Sequence, residues 1–331
     1  MATPNQLRET SAAPATPAAE TQAMANSGTP ATSKRPGPLA RFKRHIIQLL
    51  AAILYDLNFE GIATASLYTG PAKRLCVPGL NCYSCPGAVG ACPIGSLQVA
   101  LVNADKSLPF YVVGLLLAFG ALFGRTICGW ACPFGLIQDL IAKIPTPKLA
   151  KGRWSRILSW GKYVVLAGLV IILPPILELT TGVGTPAFCA YLCPAGLIEG
   201  GIPLLLGNEG MRIMMGPLFW WKAAVAAVII LACIFIYRPF CRFLCPLGAL
   251  YSFFNRFALL RWTVNEDACT HCGTCVRVCP TDIRRVSDRE CIQCGRCAQA
   301  CPEHAIRFSA SGIILPKNEV AKAAGTEPQE R

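Results

Sequence analysis

Eight cysteines near the end of the chain have the spacing of metal-binding residues. Residues 269–280 are CTHCGTCVRVCP and residues 291–302 are CIQCGRCAQACP, so C-x2-C-x2-C-x3-C-P occurs twice. A [4Fe–4S] cubane needs four thiolates, and the two-residue steps let one loop wrap three of them around one cluster. Two copies of this pattern disfavour the alternatives, which are a zinc module or a set of disulfide bonds.

The fourth cysteine of each run is expected to serve the other cluster, as in bacterial ferredoxins with two clusters. One cluster is therefore predicted on Cys269, Cys272, Cys275 and Cys301, and the other on Cys291, Cys294, Cys297 and Cys279. His271 is expected to be exposed, because the four-cysteine set is complete without it. We predict an α+β two-[4Fe–4S] ferredoxin-like domain over residues 261–314, with a closing strand within 306–314.

The composition indicates a membrane protein. Only 15% of the 331 residues are charged, and the mean hydropathy of +0.45 is too high for a water-soluble chain of this length. A net charge of +13 could indicate nucleic acid binding. The basic residues flank apolar segments, however, which is typical of positively charged loops kept in the cytoplasm, so no nucleic acid partner is expected.

We predict an α-helical membrane protein with about four transmembrane helices. The first begins at Ile46 and is interrupted, and the others cover residues 108–124, 157–177 and 217–237. The basic loop 125–156 and the arginines after residue 237 place both termini and the ferredoxin-like domain on the cytoplasmic side of a prokaryotic inner membrane. The transmembrane domain then covers residues 41–260, and residues 1–40 and 315–331 are predicted to be disordered tails.

A second cysteine pattern repeats inside the predicted transmembrane domain. Arg-x2-C-x3-C-P-x-G begins at Arg125 and again at Arg238, 113 residues later. Internal symmetry of this kind is typical of two similar halves that face each other across a pseudo-two-fold axis. The cysteines of the repeat, here called the inner cysteines, are then expected to meet: Cys128, Cys132, Cys241 and Cys245. They could hold a further iron–sulfur or metal centre, act as redox-active dithiols, or be structural thiols.

Related motifs, GACPIG and CAYLCPAG, come before the second and fourth predicted spans. A second metal site could form at that boundary from Cys82, Cys85, Cys92 and one of Cys189 or Cys193. Disulfide bonds on an oxidising face are the alternative. Pro86 follows the C-x2-C pair where haem attachment would need histidine, so covalent haem is not indicated.

Four polar side chains are candidates for proton or quinone chemistry. Asp56 and Glu60 would share a membrane-embedded face if the first span were one helix. The alternative, which we slightly favour, is that the helix ends near Tyr55 and both carboxylates reach water. Gln138 and Asp139 could line a quinone headgroup pocket, but a solvated helix face is the simpler interpretation.

With both cysteine patterns in place, residues 41–308 resemble the NapH/NosR family of membrane polyferredoxins. The inner cysteines match the family's pair of C-x3-C-P motifs, and the eight C-terminal cysteines match its cytoplasmic module. The resemblance implies a quinol-linked electron carrier that serves a respiratory reductase, and a copper-handling relative shares the architecture. This sequence differs by its extra segments at 76–92 and 189–193, and it lacks a long periplasmic flavin-bearing domain.

Two functions follow as hypotheses. The first is a quinol-dehydrogenase type of electron-transfer subunit that relays electrons between the quinone pool, or a redox partner protein, and a soluble or membrane oxidoreductase. The alternative is metal-ion reduction, cofactor maturation or redox sensing through the membrane cysteines. The sequence has no phosphate loop, catalytic triad or HExxH motif.

The iron content of the C-terminal module tests the first pattern. Residues 261–310 isolated without oxygen should bind about eight irons, four for each of two cubanes. A preparation that contains only zinc would contradict the assignment.

Overall fold

The computed structural model describes residues 38–102, 110–148, 152–213, 215–310 and 313–314. The tails predicted over 1–37 and 315–331 lie outside the described residues. Residues 38–40, which we assigned to the N-terminal tail, instead begin the first helix, Pro38–Tyr55.

The described part of the chain is mostly helical. Its α-helices are Pro38–Tyr55, Phe59–Thr64, Pro93–Val102, Phe110–Phe123, Thr126–Trp130, Pro133–Ile141, Arg153–Leu158, Gly161–Val165, Leu173–Thr181, Ala187–Tyr191, Ile202–Gly207, Glu209–Ile213, Pro217–Phe235, Pro239–Phe243, Pro246–Phe254, Thr274–Arg277 and Arg296–Ala300. Two segments, Leu166–Ile172 and Gly196–Gly201, are π-helical, and two short 3₁₀ turns cover Pro71–Arg74 and Glu266–Ala268.

A small antiparallel sheet frames the C-terminal module. Its strands are β1 (Leu260–Val264), β2 (Ile306–Ala310) and β3 (Ile313–Ile314), in the order β1-β2-β3. The predicted closing strand is therefore a pair of strands, and β2 pairs with β1, which brings the beginning and the end of the module together.

Two helices among the described residues are long and apolar enough to cross a membrane, where four were predicted. They are Arg153–Thr181 and Pro217–Phe235, and only 17% of the most apolar window of each is buried. The first predicted span is wrong because its helix stops at Tyr55. The second is only the 14-residue helix Phe110–Phe123, which is shorter than the roughly 20 residues that a transmembrane helix needs.

Four helices among the described residues begin at the proline of a Cys-Pro pair. Three of them are Pro93–Val102, Pro133–Ile141 and Pro246–Phe254, and the fourth begins at Pro194. Proline suits the first position of a helix because it lacks the N–H that would be left unpaired there. The proline thus starts a helix in every copy, and the cysteine before it stands at the helix N-terminus.

Two fully buried arginines join the two halves reciprocally. Arg125 donates from Nη2 to the carbonyl oxygen of Cys241 at 3.1 Å, and Arg238 donates from Nη1 to the carbonyl oxygen of Cys128. Each arginine precedes the C-x3-C-P of its own half and holds the backbone of the other. The repeat read from the sequence is therefore a pair of crossed contacts around the inner cysteines.

The two arginines differ in the carboxylate that balances them. Arg238 makes a bidentate ion pair with Asp139, at 2.7 and 2.6 Å. The residue 113 positions after Asp139 is Ser252, which cannot supply a charge to Arg125. Arg125 pairs instead with Glu290 of the C-terminal module, at 3.1 Å, and Lys162 pairs with the same carboxylate at 2.5 Å.

The ion pair of Glu290 persists at neutral pH. Burial acts to raise the pKa of Glu290, but Arg125 and Lys162 lower it by more, so the pKa lies below its ordinary value. A depressed carboxylate pKa contributes stability that is present above the unfolded-state pKa and is lost as the pH falls through the folded-state value. The ion pair between Arg125 and Glu290 therefore weakens as the pH falls into the acid range.

We predict that Glu290→Gln strongly destabilises the protein. It would leave Arg125 and Lys162, both fully buried, without a carboxylate between them, and an uncompensated buried charge costs about 3–5 kcal/mol. The thermal midpoint of the detergent-solubilised protein should fall. Glu209→Gln, at an exposed helix end, should stay within about 0.5 kcal/mol of the parent. Equal midpoints for the two variants would contradict this account.

Candidate functional site: four groups of four cysteines

The C-terminal module places its eight cysteines in two groups. One void is bordered by Cys269, Cys272, Cys275 and Cys301, and a second by Cys279, Cys291, Cys294 and Cys297. Each group contains three cysteines of one run and the fourth cysteine of the other run. His271 lies outside on the surface, with 77% of its side chain exposed, as predicted.

One glycine in each cysteine loop lets the loop turn around its void. Gly273 and Gly295 follow the second cysteine of each run and have φ angles of +70° and +75°. Side chains other than glycine rarely adopt this left-handed conformation, so the turn depends on glycine. Each glycine directly precedes the short helix that carries the third cysteine of its run.

The inner cysteines converge as the repeat predicts. Burial raises the pKa of the Cys132 and Cys245 thiols, and the nearby Cys128 and Cys241 raise it further. All four side chains are 4–6% exposed. Thiols that exchange disulfides are accessible, whereas these four are buried, so the dithiol interpretation fits them poorly. A bound metal would instead hold such thiols in the deprotonated form.

A second group of four, here called the outer cysteines, is formed by Cys82, Cys92, Cys189 and Cys193. They border one cavity of 570 Å³. The structure therefore brings in both Cys189 and Cys193, where the sequence suggested one of them. Cys85 does not line this cavity and lies beside Asp56 and Lys73. None of the nineteen cysteines forms a disulfide bond.

Sulfur in both groups receives hydrogen bonds from an equivalent glutamine. Gln138 donates from Nε2 to Sγ of Cys241 at 3.0 Å, and Gln98 donates to Sγ of Cys189 at 3.3 Å. Both glutamines are fully buried, and each stands six residues after the cysteine of a Cys-Pro pair. Hydrogen bonds to sulfur tune the potential of iron–sulfur clusters. The sequence analysis named Gln138 only as a possible quinone-pocket residue and did not name Gln98, although their common spacing could have revealed both.

The polar candidates at 138 and 139 were wrongly assigned to a solvated helix face. Gln138 is 1% exposed and Asp139 is 3% exposed. Burial acts to raise the pKa of Asp139, but Arg238 and Arg44 outweigh it and hold the pKa far below its ordinary value. The partners of Asp139 lie 95 and 99 residues away in the sequence, so a local pattern could not predict its burial.

The helix does end at Tyr55, so Asp56 and Glu60 do not share a face. Glu60 is exposed, as we favoured, whereas Asp56 is half-buried. Burial raises the pKa of Asp56, against smaller opposing effects of Asn81, Cys85 and Lys73. One of the two carboxylates is therefore partly buried, beside Cys85.

The module group that contains Cys291 packs against the segment that carries the inner cysteine Cys128. Asn255 donates from Nδ2 to the carbonyl oxygen of Cys291 at 2.9 Å, and the indole of Trp130 donates to the carbonyl oxygen of Gln293 at 3.0 Å. A Cβ at Gly129, the residue after Cys128, would lie 2.2 Å from the carbonyl oxygen of Ile292. Only glycine at position 129 lets the two backbones approach this closely.

Gly129→Ala tests this approach. The added methyl group cannot fit without moving the Ile292 backbone, so hydrogen exchange at residues 291–293 should rise. Gly114→Ala is the matched control, because nothing lies within 4 Å of its Cβ. Unchanged exchange in Gly129→Ala would show that the two backbones are not in contact.

Family comparisons identify both cysteine-bearing parts. Residues 108–156, 166–207 and 218–265 match a family described as "4Fe-4S binding domain", and residues 262–285 and 284–307 match a second family with the same description. The three stretches of the first family contain the inner cysteines and the Cys189/Cys193 pair. No solved structure matches the chain significantly.

Several curated proteins are similar in sequence. The uncharacterized protein MJ0749 of Methanocaldococcus jannaschii is 30% identical over 60% of this chain and 69% of its own length. The methylamine utilization ferredoxin-type protein MauN of Methylorubrum extorquens is 28% identical over 57% of this chain. The regulatory protein NosR of Stutzerimonas stutzeri is 30% identical over 48% of this chain.

These matches cover unequal shares of the relatives. The aligned region spans 55% of MauN and 20% of NosR, so the activities of those whole proteins are not carried over. The relatives share the region of this chain that matches 4Fe–4S binding domains, and these domains support a ferredoxin-type electron-transport role for the chain. The chain belongs to the polyferredoxin family, the group of 4Fe–4S proteins that includes MauN and NosR.

Proposed function

We propose that the protein is a membrane electron-transfer subunit that relays electrons between the quinone pool or a redox partner and a soluble or membrane oxidoreductase. The observation that carries the proposal is the contact between the module and the inner cysteines. Arg125 touches both sides of it, since its guanidinium reaches the carbonyl oxygen of Cys241 and the carboxylate of Glu290, the residue before Cys291. One side chain thus bridges two four-cysteine groups.

Each of the four groups is suited to hold one [4Fe–4S] cluster. The ferredoxin runs provide two sets of four thiols, and the inner and outer cysteines provide two more with the same hydrogen-bond donors to sulfur. When bound, such clusters accept and release single electrons. The protein's own residues hold the sulfur atoms in place, exclude water from the inner group and supply the buried positive charge of Arg125 and Arg238 next to it.

The exposed surface supports a position in the membrane. The helices Arg153–Thr181 and Pro217–Phe235 present large apolar side chains outward, among them Val164 at 69% exposure and Val228 at 66%. Contiguous exposed apolar surface of this kind marks contact with lipid or another protein. The arginines and lysines around residues 143–156 and 238–242 support a cytoplasmic position for the module, by the positive-inside rule.

A quinone ring would approach through the outer cavity. The cavity extends from the outer cysteines past Leu80, Val99 and Phe188 to Lys222. Mostly apolar walls with one convergent cation suit an apolar ring that carries polar oxygens. Asp139, the sequence candidate for a quinone pocket, does not line this cavity, and both of its oxygens are held by arginines.

Substitution of single cysteines tests whether the inner group is one site. Cys128→Ser and Cys241→Ser should each abolish the same EPR signal, and the double variant should lose no more, because residues that act as a unit are non-additive. The signals of the module should remain. Cys76→Ser is the control, since Cys76 is buried beside Ser96 and belongs to none of the four groups. If both inner variants keep every signal and transfer electrons normally, the inner cysteines are structural.

A further inference from the structure

We propose that the cavity between the helices and the C-terminal module binds the phosphate of an anionic phospholipid headgroup. The cavity has a volume of 690 Å³, within the range of ligand sites. It is lined on the helical side by Tyr237, Arg242 and Phe243, and on the side of the module by Pro280 and Arg296. A ligand placed there would contact both parts of the protein.

Positive charge dominates the lining. Lys143, Lys148, Arg242 and Arg296 contribute cations, and Asp139 is the one carboxylate. Asp139 is already neutralised by Arg238 and Arg44, which lie outside the lining. Among the described residues, no carboxylate lies within ion-pair distance of Lys143, Lys148 or Arg296. The cavity therefore carries a net positive charge that an anion would balance.

One buried donor atom in the lining of this cavity, Nε of Arg242, has no hydrogen-bond partner in the described structure. Arg242 is 6% exposed. Its Nη2 atom donates to Ser155 at 2.5 Å and lies 4.0 Å from Asp282. An unpaired buried donor is costly, and a phosphate oxygen in the cavity would satisfy it.

The position of the cavity favours a lipid over a free anion. It lies where the two candidate spans meet the polar surface, since Trp154 and Leu158 border it near the start of one and Ile236 and Tyr237 follow the other. Trp154 is 77% exposed at its edge. Aromatic and basic side chains together at this depth are typical of the headgroup region, and basic pockets between spans bind anionic headgroups.

Lipid exchange followed by native mass spectrometry tests the inference. The full chain in an uncharged detergent should bind phosphatidylglycerol and not phosphatidylcholine, and millimolar inorganic phosphate should not displace the lipid. Lys143→Gln and Arg296→Gln should each weaken binding about fivefold, from about 1 kcal/mol for each basic residue. Neither residue is buried, so both variants should fold. Arg256→Gln, an exposed arginine outside the cavity, should bind as the parent does.

Equal binding of the two lipids, or equal loss in Arg256→Gln, would overturn the inference, and phosphate binding as tight as lipid binding would overturn the assignment to lipid. The inference rests on the proposed membrane position. If the protein is washed off membranes by carbonate, that position fails. If it stays in the membrane but does not select anionic lipid, only this inference fails.

Discussion

The structure depends on how the buried charge of Arg125 is balanced. Arg125 and Arg238 occupy equivalent places in the two halves, but only Arg238 has a carboxylate within the helical part. An unpaired buried guanidinium would cost several kcal/mol. Glu290 supplies the missing charge from the C-terminal module, and it does so one residue before Cys291. The break in the repeat at Ser252 is thus what fixes the module, and its second cysteine group, against the inner cysteines.

The same small unit is used four times. In each copy a cysteine precedes a proline that starts a helix, and a polar side chain six residues after the cysteine reaches across to another segment. Gln98 and Gln138 reach sulfur atoms, Glu199 accepts from the backbone N–H of Cys82, and Tyr251 donates to the carbonyl oxygen of Pro78. Two copies contribute to each four-cysteine group, but the copy at Cys92 has Ala88 where the other three have a cysteine, and Cys82 is the fourth member of the outer group.

The features of the structure that follow from cysteine motifs could be predicted from the sequence. The ferredoxin module was accessible from the sequence because its ligand spacing is local, and the convergence of the inner cysteines was accessible because their motif repeats 113 residues later. Other contacts between distant residues were not accessible. Asp139 was assigned to a solvated helix face, but it is buried in ion pairs with Arg44 and Arg238. Cys85 lies next to Cys82 in sequence but points toward Asp56 and Lys73. Helix lengths also misled, since the span predicted over 108–124 is the 14-residue helix Phe110–Phe123, whereas the helix end favoured near Tyr55 is observed.

The central claim is that the inner and outer cysteines hold clusters in addition to the ferredoxin pair. Iron and acid-labile sulfide measured on the full chain, purified without oxygen, test it most directly. Four cubanes correspond to about sixteen irons and sixteen sulfides per chain, and the account predicts that stoichiometry. About eight of each, with no other metal bound, would leave the membrane cysteines without clusters and would contradict it.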